Sequence, residues 1–185
     1  FINIFADSDG IFRHAPLLIE YKNGVYPSLA LQAVISYLGT PIKLITPSYG
    51  ETHELEGVQV GATTVPIDIG GQALIPFIGK SYTFPYFSAT DILHDHIPKD
   101  KIEGKIIFVG TSATGLGDLK PTSIQNPFPG VEIQASIANR ILDDQFSYRP
   151  AWTYGANLLL TIIFGIISSI LFPYLGARSL SVVIV

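Results

Sequence analysis

Apolar and polar positions alternate in short runs up to about residue 150, then give way to an almost unbroken apolar stretch. Phe1–Phe5 predicts a short strand. Asp7-Ser8-Asp9-Gly10 predicts a turn, because Asp side chains bond nearby backbone and Gly admits positive φ. Ile11–His14 and Leu17–Tyr21 read as extended, with Pro16 setting an edge or bulge between them. Asn23-Gly24 marks a tight hairpin. A helix follows: Ser28 is its N-cap, and Leu29, Ala30, Ala33, Val34, Tyr37 and Leu38 recur at helical spacing. Gly39 stands where a left-handed C-terminal residue is wanted.

Ile42–Thr46, Val58–Val60, Val65–Ile69 and Ala73–Ile78 are β-rich pieces separated by Gly and Pro. Ser88-Ala89-Thr90-Asp91 fits a capping box that opens a short helix to about His96. Lys105–Val109 is the strongest strand signal, an apolar run suited to a buried central position. A Gly-rich loop and an amphipathic helix over Val131–Leu142 come next, and strand–loop–helix suggests a parallel α/β unit. The predicted class is α/β, a mixed sheet with flanking helices, followed by a transmembrane α-helix. The chain shows no internal repeat and no low-complexity tract.

From Ala151 to Ala177, 27 residues carry no formal charge. A helix over 151–172 would be about 33 Å long at about 1.5 Å per residue, against about 30 Å of bilayer hydrocarbon. Tyr148, Trp152 and Tyr154 before it, and Phe172 and Tyr174 after it, are placed like interfacial aromatics. Pro173 and Gly176 break the helix, and Ser179–Val185 opens another apolar run. The expected division is a domain over 1–148, a transmembrane helix over 149–173, a short turn over 174–179, and the start of a second transmembrane helix over 180–185. Gly165 and Ser169 would let another membrane helix approach closely. Arg149 and Arg178, one at each end, do not decide the orientation.

Charge sharpens this split. Of 26 charged side chains in the 185 residues, 25 precede residue 151, and the formal net charge is −4. Mild acidity without clustered Lys and Arg argues against a nucleic-acid partner. The absence of cysteine excludes disulfides, thiolate metal sites and thiol catalysis. There is no Met, so the chain is expected to be a fragment that begins inside a domain.

The most pointed candidate site is Gly110-Thr111-Ser112-Ala113-Thr114-Gly115-Leu116-Gly117-Asp118, directly after the strong strand signal. Glycines let backbone amides face a ligand, and hydroxyls with a carboxylate add polar contacts at a sheet edge. Thr111, Ser112, Gly115, Gly117 and Asp118 are the expected ligand-facing set. The loop lacks the Gly-Lys-Ser/Thr of a phosphate-binding loop and the helix that follows a dinucleotide fingerprint. Thr114 stands where a nucleophile elbow needs Gly. His94-Asp95-His96 reads better as a solvated helix end than as a zinc site, with no third ligand signposted. Asp7 and Asp9 with Arg13 and His14 read as an acidic turn with basic neighbours, and Glu51, Glu54 and Glu56 as a solvated loop face. No catalytic residues, metal ligands or cofactor are assigned.

Several stretches together resemble a known family. Asp7-Ser8-Asp9-Gly10-Ile11-Phe12-Arg13-His14-Ala15-Pro16-Leu17, followed by Tyr26-Pro27-Ser28-Leu29-Ala30, is similar to the opening motifs of the CHASE type 2 domain. Tyr82–Leu93, Gly104–Asp118 and Pro129–Ala135 continue the resemblance in order, with Gln134 where the family usually has His. The resemblance implies a bacterial receptor with this domain outside the cytoplasm, at the inner membrane and facing the periplasm, and with transmembrane helices after it. A cytoplasmic adenylate/guanylate cyclase, histidine kinase or Ser/Thr kinase would follow. It also implies a further N-terminal portion of the domain, so sheet edges of this piece are expected to lie open. The fragment itself is then not an enzyme. Its expected partners are the membrane, an extracytoplasmic ligand of unknown identity and a second copy in a homodimer. The alternatives are a structural or dimerisation module without a ligand, and a membrane-anchored periplasmic hydrolase using Ser112, for which no general base is signposted.

Overall fold

The computed structural model describes residues 1–49, 52–53, 55–111, 118–146 and 152–172. Two compact units divide the chain, Phe1–Ser147 and Tyr148–Val185.

The first unit opens without the strand expected over Phe1–Phe5. Instead the Phe1 carbonyl accepts from the Leu29 N–H (2.6 Å) and its ammonium donates to the Pro27 carbonyl (3.2 Å), tying the segment to the start of a helix. Strand β1 (His14–Pro16) is followed by the hairpin β2 (Leu18–Tyr21) and β3 (Gly24–Pro27). Tyr21 pairs with Gly24, so Lys22 (φ 46°) and Asn23 (φ 63°) form the two-residue turn. The hairpin expected at Asn23-Gly24 thus turns one residue earlier, with both central residues left-handed, as tight hairpins favour.

Helix α1 (Leu29–Leu38) has the expected caps: Ser28 Oγ accepts from the Leu31 N–H, and Gly39 is left-handed at φ 63°. Its buried face is Ala30, Leu31 and Val34, while Leu29, Tyr37 and Leu38 are exposed. Strand β4 (Ile42–Ile45) comes next, with the short pair β5 (Ser48–Tyr49) and β6 (Thr52–His53), then β7 (Gly57–Val60), β8 (Thr63–Pro66) and β9 (Gln72–Leu74). The three-stranded sheet β4–β7–β8 is antiparallel throughout, and β1 pairs antiparallel with β9.

Helix α2 (Ala89–Leu93) is capped by Ser88, whose Oγ accepts from the Thr90 N–H, and a 3₁₀ turn covers Lys99–Lys101. The small pair β10 (Leu119–Lys120) and β11 (Phe128–Pro129) leads into α3 (Gly130–Leu142). Helix α3 packs on α1 and β8. Leu31 and Val34 of α1, Val58 and Val65 of the sheet, Phe128, and Ile133 and Ile137 of α3 close one core. Burying such side chains contributes about 1.5–3 kcal/mol each.

Among the described residues the chain is a mixture of helices and strands, but the expected mixed sheet with a parallel α/β unit does not form. The named sheets are small and antiparallel, and the isolated bridge Phe12↔Thr122 is parallel. The reason lies at Lys105–Val109, which forms no strand. Ile106 and Phe108 pack against the core while Ile107 and Val109 are exposed, the alternation of a half-buried strand. Among the described residues no backbone hydrogen bond engages 106–110. The segment has the side-chain pattern of a strand and, among the described residues, no neighbour to pair with.

In the second unit, α4 (Trp152–Leu171) is a 20-residue helix without an acidic or basic side chain. Its long apolar side chains, from Leu158 to Leu171, are exposed. Of the membrane helix expected over 149–173, residues 149–151 and 173 lie outside the described residues. Among the described residues no helix is long and apolar enough to cross a membrane. The first turn and a half carries Thr153, Tyr154 and Asn157; the mostly apolar run from Leu158 to Leu171 is 14 residues. That run is about 21 Å long, short of about 30 Å of hydrocarbon. The turn expected over 174–179 and the second span over 180–185 lie outside the described residues.

Candidate functional site

The Asp7–Gly10 turn closes on itself. The Asp7 N–H donates to the Ile11 carbonyl, the Gly10 N–H to the Asp7 carbonyl (both 2.9 Å), and the Ile11 N–H to Asp9 Oδ1 at 3.0 Å. Gly10 has φ 82°, which explains a glycine at this place. Arg13 then forks across the turn: Nη1 lies 3.1 Å from Asp7 Oδ2 and Nη2 2.8 Å from Asp9 Oδ2. The other Asp7 oxygen faces His14 Nδ1 at 3.0 Å.

These contacts set the protonation states. The hydrogen bond with His14, and then that with Arg13, holds the Asp7 carboxyl below its ordinary range. The Arg13 hydrogen bond, and then the Ile11 N–H, does the same for Asp9, while the two acids raise the Arg13 guanidinium. The polar groups of this motif are spent on one another, and the sequence reading of an acidic turn with basic neighbours describes them. Among the described residues no group of three or more His, Asp or Glu side chains could hold a metal. His94 and His96 stack at 5.7 Å between ring centroids, and His96 Nδ1 lies 3.5 Å from Asp91.

Of the expected ligand-facing set, Thr111 and Asp118 are described, and Ser112, Gly115 and Gly117 lie outside the described residues. Gly110 and Asp118, which bracket the loop, both reach the first turn of α3. The Gly130 N–H donates to the Asp118 carbonyl at 2.8 Å, and a Cβ on Gly130 would overlap the Asp118 carboxylate. A Cβ on Gly110 would stand 2.6 Å from the Cβ of Val131. A carboxylate at this end of α3 faces the positive pole of the helix dipole. Lys120 Nζ is 3.9 Å from Asp118 Oδ1 and 5.7 Å from the centre of the Phe12 ring.

Sequence reasoning missed the most heavily bonded group in this corner. Glu132, in the first turn of α3, is 2 % exposed. Its Oε1 accepts from the Thr83 N–H, and its Oε2 from the Tyr82 N–H and the Tyr86 O–H, all at 2.9 Å. Burial first, and then the adjacent carboxylate, pushes the Tyr86 phenol above its ordinary value. The available signal was an acid between two apolar residues, Val131 and Ile133, facing a Tyr-Thr-Phe-Pro-Tyr run far away in sequence. Gln134 was also legible only as a departure from a family pattern. Its Oε1 accepts from the buried Ala30 N–H at 3.1 Å, which joins α3 to the start of α1.

A shallow groove of about 280 Å³ runs beside this corner, between Tyr37, the 104–108 segment and the Ala135–Leu142 side of α3. No curated protein and no solved structure matches the chain. The model of the CHASE2 domain matches residues 1–171, from the first residue through the Asp7–Arg13 turn and the α3 corner to the end of α4, and the chain therefore belongs to the CHASE2 domain family.

Proposed function

We propose that the chain is the sensory part of a bacterial transmembrane receptor, with residues 1–148 on the periplasmic side of the inner membrane. It would act in a homodimer and relay an external signal to a cytoplasmic adenylate/guanylate cyclase, histidine kinase or Ser/Thr kinase. The family carries this reading: CHASE2 domains are non-catalytic extracytoplasmic sensors of membrane receptors. The match extends through α4, beyond the first unit. The apolar run of α4 alone is too short a span, so the crossing would take α4 together with the residues that adjoin it, over 149–173, among which Arg149 is the one charged side chain. A helix that is apolar all round finds its cover in lipid or in other helices.

A signal requires a ligand that binds two conformations with different affinity. Thr111, Ser112, Gly115, Gly117 and Asp118 are the ligand-facing set in this reading. The support is that Gly110 and Asp118, which bracket the Gly-rich stretch in sequence, both stand at the first turn of α3. Helix α3 is the lever, since the chain runs from its end through eight residues, 143–150, to the apolar segment.

The test uses the full-length receptor in bacterial membranes. A compartment-sensitive reporter inserted after Gly70 is expected to read the periplasm, and Asp118→Ala to change the effector's output. A reporter that reads the cytoplasm overturns the receptor reading. An Asp118→Ala receptor that responds normally removes the ligand assignment and leaves the topology standing.

A further inference from the structure

Among the described residues Glu132 is the only charged side chain that is buried. A carboxylate removed from water without partners is strongly unfavourable, and charge-assisted hydrogen bonds are what keep one inside. All three donors to Glu132 come from a single segment, residues 79–87. Tyr82 is left-handed at φ 68°, and the consecutive amides of Tyr82 and Thr83 converge on one carboxylate.

Beyond these bonds the segment is held at a few points, one of them Phe84, half-buried in the groove that Ala135, Ala138 and Leu142 of α3 also line. The segment contains no helix or strand. Ser81 and Gln125 exchange two hydrogen bonds at 3.0 and 2.7 Å. Tyr82 is 63 % exposed, and its ring lies 4.9 Å from the Tyr86 ring between centroids. The segment is anchored just before its start, where Phe77 meets Phe128 edge to face at 5.4 Å. It ends just before the cap of α2.

We propose that residues 79–87 form a strap that Glu132 latches to the first turn of α3, and that the strap opens as a local step separate from unfolding of the core. Both states are physically accessible. Closed, the carboxylate has three donors. Open, water replaces them on the carboxylate and on the two amides, while the apolar core between α1, α3 and β4–β7–β8 keeps its contacts. The strap does not depend on what the domain senses. Under the receptor reading, it ties the surface of the domain directly to α3.

Amide hydrogen exchange on the full chain tests this, with the near-isosteric Glu132→Gln and with Tyr86→Phe. Glutamine offers one accepting oxygen where two are used, so the Tyr82 and Thr83 amides are expected to exchange at least about ten-fold faster. Amides of α1 and β7 are expected to keep their rates. Tyr86→Phe removes one donor and should accelerate the same two amides to a smaller extent. Unchanged exchange at Tyr82 and Thr83 in both variants overturns the proposal. So does an acceleration shared equally by α1, β7 and the strap, because the carboxylate then supports the whole core. If Glu132→Gln does not fold, Tyr86→Phe decides by the same two readings.

Discussion

At Gly71 a side chain would meet backbone: φ is 73°, and a Cβ would stand 2.6 Å from the Leu18 carbonyl oxygen. Gly10 has a similar φ of 82° but nothing within 4 Å. The pair separates conformational strain from collision. Gly10→Ala is expected to destabilise by about 1–2 kcal/mol, the left-handed penalty alone. Gly71→Ala should destabilise by more, about 3 kcal/mol, because a backbone atom cannot rotate away. Denaturant unfolding of the two variants checks the order, and equal effects would show that the Leu18 strand shifts freely. The Asp7–Arg13 cluster makes a pH prediction at the same scale. Asp7 and Asp9 have depressed folded pKa values, so their contribution is present above the ordinary carboxyl range, about 4. It is lost as pH falls through the depressed values. In Asp7→Asn, Tm should therefore drop less between pH 6 and pH 3 than in the parent chain. These ion pairs were legible because Asp, Gly and Arg sit within seven residues of one another. Glu132 was not, because its partners are about fifty residues away and its burial depends on them.

Helix α1 shows what local sequence specifies at the scale of an element. Its caps, Ser28 and Gly39, act through neighbours three and four residues away, and both were readable. Its buried face was only partly readable. Leu31 is buried while Leu29, Tyr37 and Leu38 are not, because the packing against α3 chooses the face. The N-terminus of α1 is satisfied twice, by Ser28 Oγ to the Leu31 N–H (3.4 Å) and by Gln134 Oε1 to the Ala30 N–H (3.1 Å). Ser28→Ala should destabilise by about 1 kcal/mol. Gln134→Ala should destabilise by about 1–3 kcal/mol, since it leaves a buried amide unpaired. Both act on one helix end, so the double variant is expected to depart from additivity. Thermal unfolding of the three variants measures that departure, and strict additivity would mean that the two caps are independent.

Across the whole molecule, the division of charge at residue 150 was plain from composition, and the antiparallel arrangement of the sheets was not. Strand pairing depends on partners that no local pattern names, and the 105–109 segment is where this matters most. Its residues Ile106-Ile107-Phe108-Val109 have strong β preference and alternate between core and solvent. Yet 49 % of Ile107 and 90 % of Val109 is exposed, and the nearby backbone has no backbone partner among the described residues. A strand pattern with an open edge, whose one charge is Lys105 at its start, is a template for another chain. Val109→Lys places a charge on that edge at a position where almost no burial is lost, so stability should change by less than about 0.5 kcal/mol. Self-association should nevertheless fall. Light scattering against concentration, in mild detergent that covers the apolar sides of α4, separates this edge from association through that helix. If Val109→Lys associates as the parent does, with Tm unchanged, the edge is not where copies meet. If Tm falls by several degrees, Val109 is held in the folded chain by contacts other than those described.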